Sequence, residues 1–440
     1  MMNKRMSALA LASVLGLAAC STGSTGGPTS TPGASVDPDE KITLRVMSTT
    51  MAADPEMSAE QAIADAFMAK HPNVTIEFTP VAYPDYGTRI ATVATSGDVP
   101  DVFTNGPELA ARIADLGIAQ DLTPLLGEDF VTGFDQDVLA ESYVGDELAY
   151  APYYTIPMSL IYRTDLLEEA GVEPPTTWDE FVDVAKALTV DKNGDGTTDQ
   201  WGFAMVGAAN ASGGSRFVPV LRSFGAAELR EEDGSYVTDM DSEGAAKALQ
   251  LYSDLVNVHG VVPPGALNTA YPDAVNLMAS GQTAMIISGS HAIGSIAASG
   301  GAELEDTLGS VPVPRPEDGE HVSVLGQLGF SVSATTEHPE VAAEYIKFYL
   351  AKENQLAWTD ATGRLPVRLD ALEDPALDTP RYHGFIDAMA YGYLTPQAPY
   401  YLNVQQIAAE AYQAAINGTA PEKAASDAAT RIEEEIANNG

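Results

Sequence analysis

Carboxylate and amide side chains alternate along residues 191–199, which is the pattern of oxygen ligands around a bound calcium ion. Gly196 permits the tight turn that such a loop needs. Gly202 stands where an EF-hand has its bidentate glutamate, so any calcium site here is structural and not an EF-hand. The candidate ligands are the side chains of Asp191, Asn193, Asp195 and Asp199 and the carbonyl of Thr197. An Asx-rich turn without a metal is the alternative.

The remaining residue types that could do chemistry show no catalytic arrangement. The six histidines, at positions 71, 259, 291, 321, 338 and 383, lack the spacing of metal ligands. The sequence has no His-Glu-x-x-His zinc motif, no Gly-x-Ser-x-Gly nucleophile elbow and no Walker loop. A secreted glycosidase needs two carboxylates across a cleft, but 62 acidic residues make such pairs uninformative without geometry. These absences disfavour an enzyme, an adhesive surface protein stays open as another class, and no organic cofactor is expected.

The only cysteine, Cys20, closes the run LAAC after a charged start and a short apolar stretch. These features are typical of a secretory signal peptide, because the apolar stretch is too short to span a bilayer. With a cysteine at the cleavage point, residues 1–19 resemble a bacterial lipoprotein signal. This implies a lipid on Cys20 and a location on the outer face of the cell membrane. Residues 20–40 are rich in Gly, Ser, Thr and Pro, so a flexible tether is predicted.

Acidic residues outnumber basic ones by 62 to 22, which gives a formal net charge of −40. Nucleic-acid binding depends on basic side chains that release counterions from phosphates, so no nucleic-acid partner is expected. Polyanionic ligands are also disfavoured, unless a local basic pocket overrides the overall field. After residue 40 no run approaches the roughly 18 apolar residues of a membrane span, so the lipid is the expected membrane attachment.

Strand and helix patterns alternate from residue 42 to about residue 330. Residues 42–46 and 74–78 alternate as strands do, and residues 58–70 carry their apolar side chains on one helical stripe. Thr177 and Glu180 have the spacing of a capping box at a helix start. This alternation predicts an α/β fold with mainly parallel sheets, which bind ligands at the carboxyl ends of their strands.

Five short motifs occur in a characteristic order after residue 150. They are SLIYRTDLL followed by EAG at 159–171, GQTAM at 281–285, FSVSA at 330–334, GRLPVR at 363–368 and AING at 415–418. In this order, and together with the lipoprotein signal, they resemble the extracellular solute-binding proteins of sugar ABC importers. The maltose-binding proteins are the broad relatives of that family. The resemblance covers essentially the whole chain from residue 41.

The resemblance implies an α/β, two-lobe periplasmic-binding-protein-like fold with a hinge and an interlobe cleft. Lobe 1 is expected to comprise residues 41–152 plus 313–356, and lobe 2 residues 153–312 plus 357–440, with a hinge crossing at 311–314. The implied function is capture of a mono- or oligosaccharide by a monomer, followed by delivery to the permease subunits of an ABC importer. A polyol or a glycerol phosphate diester is the alternative solute.

The same resemblance implies which residues face the ligand. They are Thr49, Thr50, Tyr83, Asn105, Glu108, Tyr153, Tyr154, Ser290, His291, Gly326, Gln327, Arg364, Tyr401 and Gln405. Sugars combine apolar C–H faces with hydroxyls, so aromatic platforms and hydrogen-bonding side chains should both line the site. At least one of Tyr153 and Tyr154 is expected to face the ligand. His291 stands where sugar-binding relatives often have a tryptophan, which indicates a smaller or more polar ligand. Core packing is the alternative for each tyrosine, and a structural salt bridge is the alternative for Arg364.

A further ligand for the calcium loop also follows from the resemblance. Some sugar-binding relatives bind a structural calcium ion with the side chain directly after the last aspartate, and Gln200 occupies that position here. Because its amide is neutral, Gln200 is expected to bind the cation more weakly than a carboxylate.

Overall fold

The computed structural model describes residues 40–393 and 395–439. The predicted signal peptide 1–19, Cys20 and the tether up to residue 39 lie outside these described residues. The strands are β1 Ile42–Ser48, β2 Val74–Pro80, β3 Val102–Asn105, β4 Tyr143–Val144, β5 Glu147–Leu148, β6 Ala151–Thr155, β7 Met158–Arg163, β8 Trp201–Phe203, β9 Arg230–Glu232, β10 Ser235–Val237, β11 Thr283–Gly289, β12 Leu308–Pro312 and β13 Gln327–Val332.

Helices cover both faces of the larger sheets. They are α1 Glu56–Lys70, α2 Tyr83–Ser96, α3 Pro107–Asp115, α4 Thr123–Leu126, α5 Glu128–Val131, α6 Gln136–Ala140, α7 Thr164–Ala170, α8 Trp178–Ala187, α9 Ala211–Ser223, α10 Glu243–Asn257, α11 Tyr271–Ala279, α12 Ala292–Gly300, α13 Pro339–Tyr349, α14 Lys352–Thr362, α15 Leu369–Leu372, α16 Pro380–Met389, α17 Tyr401–Ile416 and α18 Pro421–Asn439. No helix within residues 40–393 and 395–439 combines the length and the apolar character that crossing a membrane requires.

Local sequence signals position several of these helices. The Thr177 hydroxyl accepts the Glu180 N–H at 3.3 Å, and the Glu180 carboxylate accepts the Thr177 N–H at 3.1 Å. These reciprocal bonds form the predicted capping box at the start of α8, because each satisfies a backbone donor that the first turn leaves free. The strand and helix predicted at 42–46 and 58–70 are also confirmed, as parts of β1 and α1.

Two large sheets organise the chain into two lobes. Sheet A has the strand order β2-β1-β3-β13-β6 and forms lobe 1, and sheet B has the order β12-β7-β11-β8 and forms lobe 2. In sheet A, β1 is parallel to β2 and β3, whereas β13 is antiparallel to β3 and β6. In sheet B only β8 and β11 are parallel. The sheets are therefore mixed and not mainly parallel. Parallel neighbours need a crossover within one sheet, whereas β6, β7, β12 and β13 are the strands by which the chain passes from one sheet to the other.

The chain passes between the lobes at points that differ from the expected boundaries. β6 belongs to sheet A up to Thr155, so the first crossing lies at residues 156–157 and not at 152/153. The second crossing lies between β12 and β13, at residues 313–326, close to the expected 312/313. The expected boundary at 356/357 falls inside α14, which packs on α1 and buries Trp358 beside Tyr154 of β6, both in lobe 1. The chain therefore returns to lobe 2 only with α16, which packs on β12.

Aromatic side chains form the centre of each lobe. In lobe 1, Tyr153 stacks on Phe330 with ring centroids 4.5 Å apart, and Tyr349 meets both rings edge-on. In lobe 2, Phe217 and Tyr412 pack at 5.4 Å and join α9 to α17. Each such aromatic pair stabilises the fold by about 0.5–1.5 kcal/mol beyond the contribution of the surface area that it buries. They hold the faces of β6, β13 and α17 that turn away from the cleft.

A buried acid lies beneath the end of β1 in lobe 1. Glu60 on α1 is 0 % exposed, and its carboxyl accepts hydrogen bonds from Ser48 Oγ at 2.9 Å and from Thr50 Oγ1. Burial raises the pKa of Glu60 to about 7, although both hydroxyls oppose the shift. Glu60 therefore retains its proton in the folded protein at pH values where an exposed glutamate is ionised.

We expect Glu60 to make the free energy of unfolding fall as the pH rises from about 4.5 to about 7. In this window the folded state binds a proton that the unfolded state has already released, so increasing pH favours unfolding. The effect is on the order of 3 kcal/mol in total. Urea unfolding at about pH 5 and about pH 8 should show a smaller loss of stability for Glu60→Gln than for the wild type.

The matched control is Glu77→Gln, which changes an exposed glutamate on β2. This control should retain the pH dependence of the wild type. An equal pH dependence in Glu60→Gln and the wild type would show that Glu60 ionises alike in the folded and unfolded states, contrary to the expectation.

Candidate functional site

A cavity of about 490 Å³ lies between the two lobes. This volume is within the range of small-molecule sites, roughly 300–1,000 Å³. Ten of the fourteen predicted ligand-facing residues line it. From lobe 1 and the segments packed on it come Thr49, Thr50, Tyr83, Glu108, Tyr154 and Arg364; from the end of the second crossing and the start of β13, Gly326 and Gln327; and from lobe 2, Tyr401 and Gln405. Direct contact of these residues with a ligand stays a prediction.

The lobe 1 wall is built at the carboxyl ends of strands. β1 ends at Ser48 and is followed by Thr49 and Thr50, and Tyr83 begins α2 shortly after β2. Glu108 lies in the first turn of α3, which follows β3. Because β1, β2 and β3 are parallel, these three ends meet at one edge of sheet A, where α/β proteins bind ligands.

Tyr83 is the exposed aromatic platform of this wall. It is 45 % exposed, and its hydroxyl donates a hydrogen bond to the Glu108 carboxylate. This hydrogen bond orients the partly exposed ring. A ring held in this way can stack on an apolar face of a solute while the carboxylate accepts a hydroxyl.

A second aromatic group combines with an ion pair. The Arg364 guanidinium lies 5.2 Å from the centroid of the Tyr154 ring and forms a salt bridge with Glu56. Arg364 thus lines the cavity and also forms the structural salt bridge that was considered as its alternative role. Neutralisation by Glu56 leaves the remaining guanidinium N–H groups as hydrogen-bond donors, so the pair adds polarity without net charge.

The end of the second crossing, Gly326, and the first residue of β13, Gln327, approach the cavity. Gly326 has a φ of +51°, and a Cβ at this position would lie 2.8 Å from Cγ1 of Ile156. Glycine is therefore required for the two crossings to touch. The Gln327 amide donates to the Val138 carbonyl and to the Tyr150 hydroxyl, both at 3.0 Å. These bonds fix the start of β13 at the floor of the cavity.

Lobe 2 contributes side chains from α9 and α17. The Tyr401 hydroxyl donates to Glu228 Oε1 at 2.6 Å, and Glu228 is fully buried. Arg222 neutralises this carboxylate through Nε and Nη2, at 2.9 and 3.0 Å. Because a buried charge is stable only when it is paired and hydrogen-bonded, the Arg222–Glu228 pair fixes the orientation of Tyr401.

Two predicted residues of lobe 1 are structural. Asn105 is fully buried, with its amide bonded to Ser331 Oγ at 3.0 Å and to the Gly106 N–H at 2.8 Å. Tyr153 is fully buried in the stack with Phe330, so only its neighbour Tyr154 reaches the cavity. Neither Asn105 nor Tyr153 lines the cavity: Asn105 is bonded within sheet A, and Tyr153 points to the face of β6 opposite to Tyr154.

Ser290 and His291 also lie behind the cavity surface. Both are buried or half-buried next to Gly363, and His291 lies 5.5 Å from the Tyr271 ring. Burial lowers the pKa of His291 to about 3, and the positive charges of Arg216 and Arg364 add to the shift. His291 is therefore a neutral side chain of the wall and not an exposed stacking platform.

Several lining residues had no signal in the sequence. Glu56, Ser215 and Thr395 reach the cavity from α1, from α9 and from the segment before α17. The Thr395 N–H donates to the buried Glu141 carboxyl at 2.8 Å, and burial raises the pKa of Glu141. These residues follow no strand end and belong to no quoted motif.

The predicted calcium loop lies away from the cavity and is closed by its own side chains. The Asp191 carboxylate accepts the N–H groups of Gly194 and Gly196, each at 2.7 Å. The N–H of Gly196 contributes most to lowering the pKa of Asp191. The Asp199 carboxylate accepts the N–H groups of Lys192 and Asn193, at 2.8 and 3.2 Å. The loop therefore has the hydrogen bonds of an Asx-rich turn.

The ligand set predicted for the cation is not assembled in this conformation. Within the described part of the chain, no three or more His, Cys, Asp and Glu side chains converge as metal ligands. Gln200 does not fit the proposed role, because its side chain is buried and its amide donates to the Leu188 carbonyl at 2.8 Å. Asp195 Oδ1 accepts the Thr197 N–H at 2.8 Å.

Sequence comparison identifies relatives over most of the chain. The family described as bacterial extracellular solute-binding protein matches residues 53–356. A putative binding protein of Brucella abortus (strain 2308) is 23 % identical over 376 residues, which cover 84 % of this chain and 88 % of the relative. The maltotriose-binding protein of Pyrococcus abyssi is 23 % identical over 353 residues, which cover 78 % and 71 % of the two chains.

Structural comparison shows the same fold. The GacH receptor of Streptomyces glaucescens, solved unliganded and with acarbose, superimposes with a TM-score of 0.74 at 22 % identity. The alignment covers 91 % of this chain and 100 % of the receptor, so the predicted two-lobe α/β fold is confirmed. The family match spans more than half of the chain, and its members are binding proteins. The protein therefore belongs to the bacterial extracellular solute-binding protein family and is a binding protein and not an enzyme.

Proposed function

We propose that the protein is the substrate-binding lipoprotein of an ABC importer and that it captures a sugar in the interlobe cavity. The observation that carries this proposal is a cavity lined by three tyrosines, Tyr83, Tyr154 and Tyr401, and by hydrogen-bonding side chains from both lobes. This combination matches the two surfaces of a sugar, apolar C–H faces and hydroxyls. The names of the maltotriose-binding relative and of the acarbose-bound receptor support a carbohydrate ligand.

Capture follows from the division of the cavity between the lobes. A solute that contacts Tyr83 and Glu108 on lobe 1 and Tyr401 and Gln405 on lobe 2 makes all of these contacts only when the lobes are close together. The solute therefore binds the closed arrangement more tightly than the open one and shifts the equilibrium towards the closed arrangement. The crossings at 156–157 and 313–326 are the segments about which such a motion would occur.

Delivery requires a membrane partner and an anchor. We propose that the permease subunits recognise the closed state and that a lipid on Cys20 holds the protein at the outer face of the cell membrane. The run LAAC and the family membership support this location. A monomer is sufficient for this function, because one chain provides both walls of the cavity.

Screening the full-length protein against sugars, polyols and glycerol phosphate diesters by thermal unfolding tests the proposed function. A solute at 100 times its Kd should add about 2.7 kcal/mol to the free energy of unfolding, which gives a measurable rise in Tm. The panel should include maltotriose, chitobiose and glycerol phosphate diesters. A rise with sugars alone supports the proposal, whereas a rise only with the diesters would favour the alternative solute.

Tyr83→Ala should weaken sugar binding about tenfold or more, because it removes an exposed aromatic platform from the cavity. Its effect on Tm without sugar should be small, since the ring is 45 % exposed. Tyr391→Ala is the matched control, as this ring is 41 % exposed and does not line the cavity. Isothermal titration calorimetry measures both variants. Equal sugar affinities of the Tyr83→Ala and Tyr391→Ala variants would show that Tyr83 does not contribute to sugar binding.

A structural calcium ion at the loop 191–199 is a separate proposal, supported by three aspartates and one asparagine within nine residues. Asp199→Ala should lower the Tm in EGTA buffer, because the Asp199 carboxylate closes the loop. Asp183→Ala, which changes an exposed aspartate of α8, is the control. If millimolar calcium raises the Tm of the wild type and not of Asp199→Ala, the ion binds here. If calcium does not raise the Tm of the wild type, the loop is an Asx-rich turn that binds no calcium ion.

A further inference from the structure

Arg216 is a buried cation without a carboxylate partner among the described residues. It lies on α9, one residue after Ser215 of the cavity lining, and is 6 % exposed. Its Nη1 donates to the Ser212 carbonyl at 2.9 Å and to the Ser212 hydroxyl at 2.7 Å. Its Nη2 donates to Ser288 Oγ at 3.2 Å, and its Nε donates to no group of the described residues. The edge formed by Nε and Nη2 is thus weakly bonded.

Three other arginines of the described residues bind a carboxylate at this edge. Arg163, Arg222 and Arg230 each direct Nε and Nη2 at the two oxygens of one carboxylate, at distances of 2.6 to 3.1 Å. This two-point contact is the preferred geometry of a guanidinium with a carboxylate. Arg216 is more buried than Arg230 and presents the same edge to a serine hydroxyl instead.

The groups around Arg216 do not neutralise its charge. The Tyr271 ring covers one face of the guanidinium at 4.2 Å, and His291 is neutral because burial and the two arginines lower its pKa. Ser290 Oγ and His291 Nδ1 make no hydrogen bond within the described residues. A buried charge without a counterion costs several kcal/mol, so the arrangement fits an anion that arrives from outside the chain.

The location of this cluster connects it to the cavity. Ser290 and His291 follow the carboxyl end of β11 in sheet B and lie against Gly363, next to Arg364 of the cavity wall. Arg216 does not itself line the cavity and its Nε is buried, so side chains of this cluster must move to admit a ligand group to the edge formed by Nε and Nη2. Glu108, an acid of the cavity surface without a basic partner among the described residues, belongs to the opposite lobe, where Tyr83 donates to it.

We propose that the solute carries a carboxylate, as in a uronic acid or an oligosaccharide that contains one, and that Nε and Nη2 of Arg216 bind that carboxylate. The hydroxyl of Ser288 gives way to the carboxylate oxygen, and Ser290 adds a donor. This inference rests on the proposed capture of a sugar and names its chemical class. A local cation of this kind can select an anionic ligand even on a chain with a net charge of −40.

The test uses pairs of sugars that differ only in the acidic group. Galactose and galacturonic acid, glucose and glucuronic acid, and mannose and mannuronic acid are titrated into the full-length protein by calorimetry. At least one acid should bind tenfold or more tightly than its neutral counterpart. Added salt should weaken binding of the acid more than that of the neutral sugar, because only the acid carries a charge.

Variants assign the preference to Arg216. Arg216→Gln should lower the affinity for the acid about 10- to 100-fold and change that for the neutral sugar less than threefold. Arg230→Gln is the matched control, because it removes the same kind of edge at Asp239, outside the cavity lining. If Arg216→Gln does not fold, Arg216→Lys replaces it; this variant keeps the charge and loses the two-point contact, so the preference should still fall at least threefold.

The outcomes separate the two proposals. If neutral sugars bind at least as tightly as their acids, or if both Arg216 variants weaken acids and neutral sugars equally, the carboxylate inference is overturned and sugar capture stands. If no sugar of either kind binds, sugar capture and the carboxylate inference both fail. If both variants still prefer the acid, the ligand is acidic but Arg216 does not bind its carboxylate.

Discussion

The structure depends on the pairing of β13 with two strands at once. β13 is antiparallel to β3 on one side and to β6 on the other, so it joins the returning chain to the strand by which the chain leaves lobe 1. Phe330 on β13 stacks on Tyr153 of β6, which makes this junction apolar and closely packed. The start of the same strand reaches the cavity through Gln327. One set of backbone hydrogen bonds therefore positions both the crossings and the floor of the site.

Charge pairing sets the chemistry of the cavity in a chain with few cations. The chain has 22 basic residues against 62 acidic ones, and two of its arginines neutralise Glu56 and Glu228 at or behind the cavity wall. Each pair supports an aromatic residue, Tyr154 beside Arg364 and Tyr401 bonded to Glu228. Arg216 differs because serine oxygens and a tyrosine ring surround it. No carboxylate of the described residues neutralises its positive charge, in contrast to those of the other two arginines.

The sequence was informative where local physics decides the outcome. Capping boxes, helix periodicity and strand alternation depend on neighbouring residues, so α8, α1 and β1 were predicted close to their observed bounds. Strand ends were also informative, since Thr49 and Glu108 follow β1 and β3 at the edge where parallel strands bind ligands. The sheet pairing was predicted less well, because mixed order arises from segments far apart in sequence.

Errors at single residues have the same origin. Successive residues of a strand point to opposite faces, so the sequence Tyr153-Tyr154 could not say which ring faces the cavity until the sheet was known. Glu56, Ser215 and Thr395 reach the site by tertiary packing alone.

Tyr83 and Tyr401 differ in how tertiary contacts hold their rings. Tyr401 is held by a buried carboxylate and loses little side-chain freedom when a solute binds, whereas Tyr83 is exposed and is held only by Glu108. Lobe 2 thus offers the more rigid aromatic wall, and ordering of Tyr83 is a cost that the closing of lobe 1 onto the solute must offset.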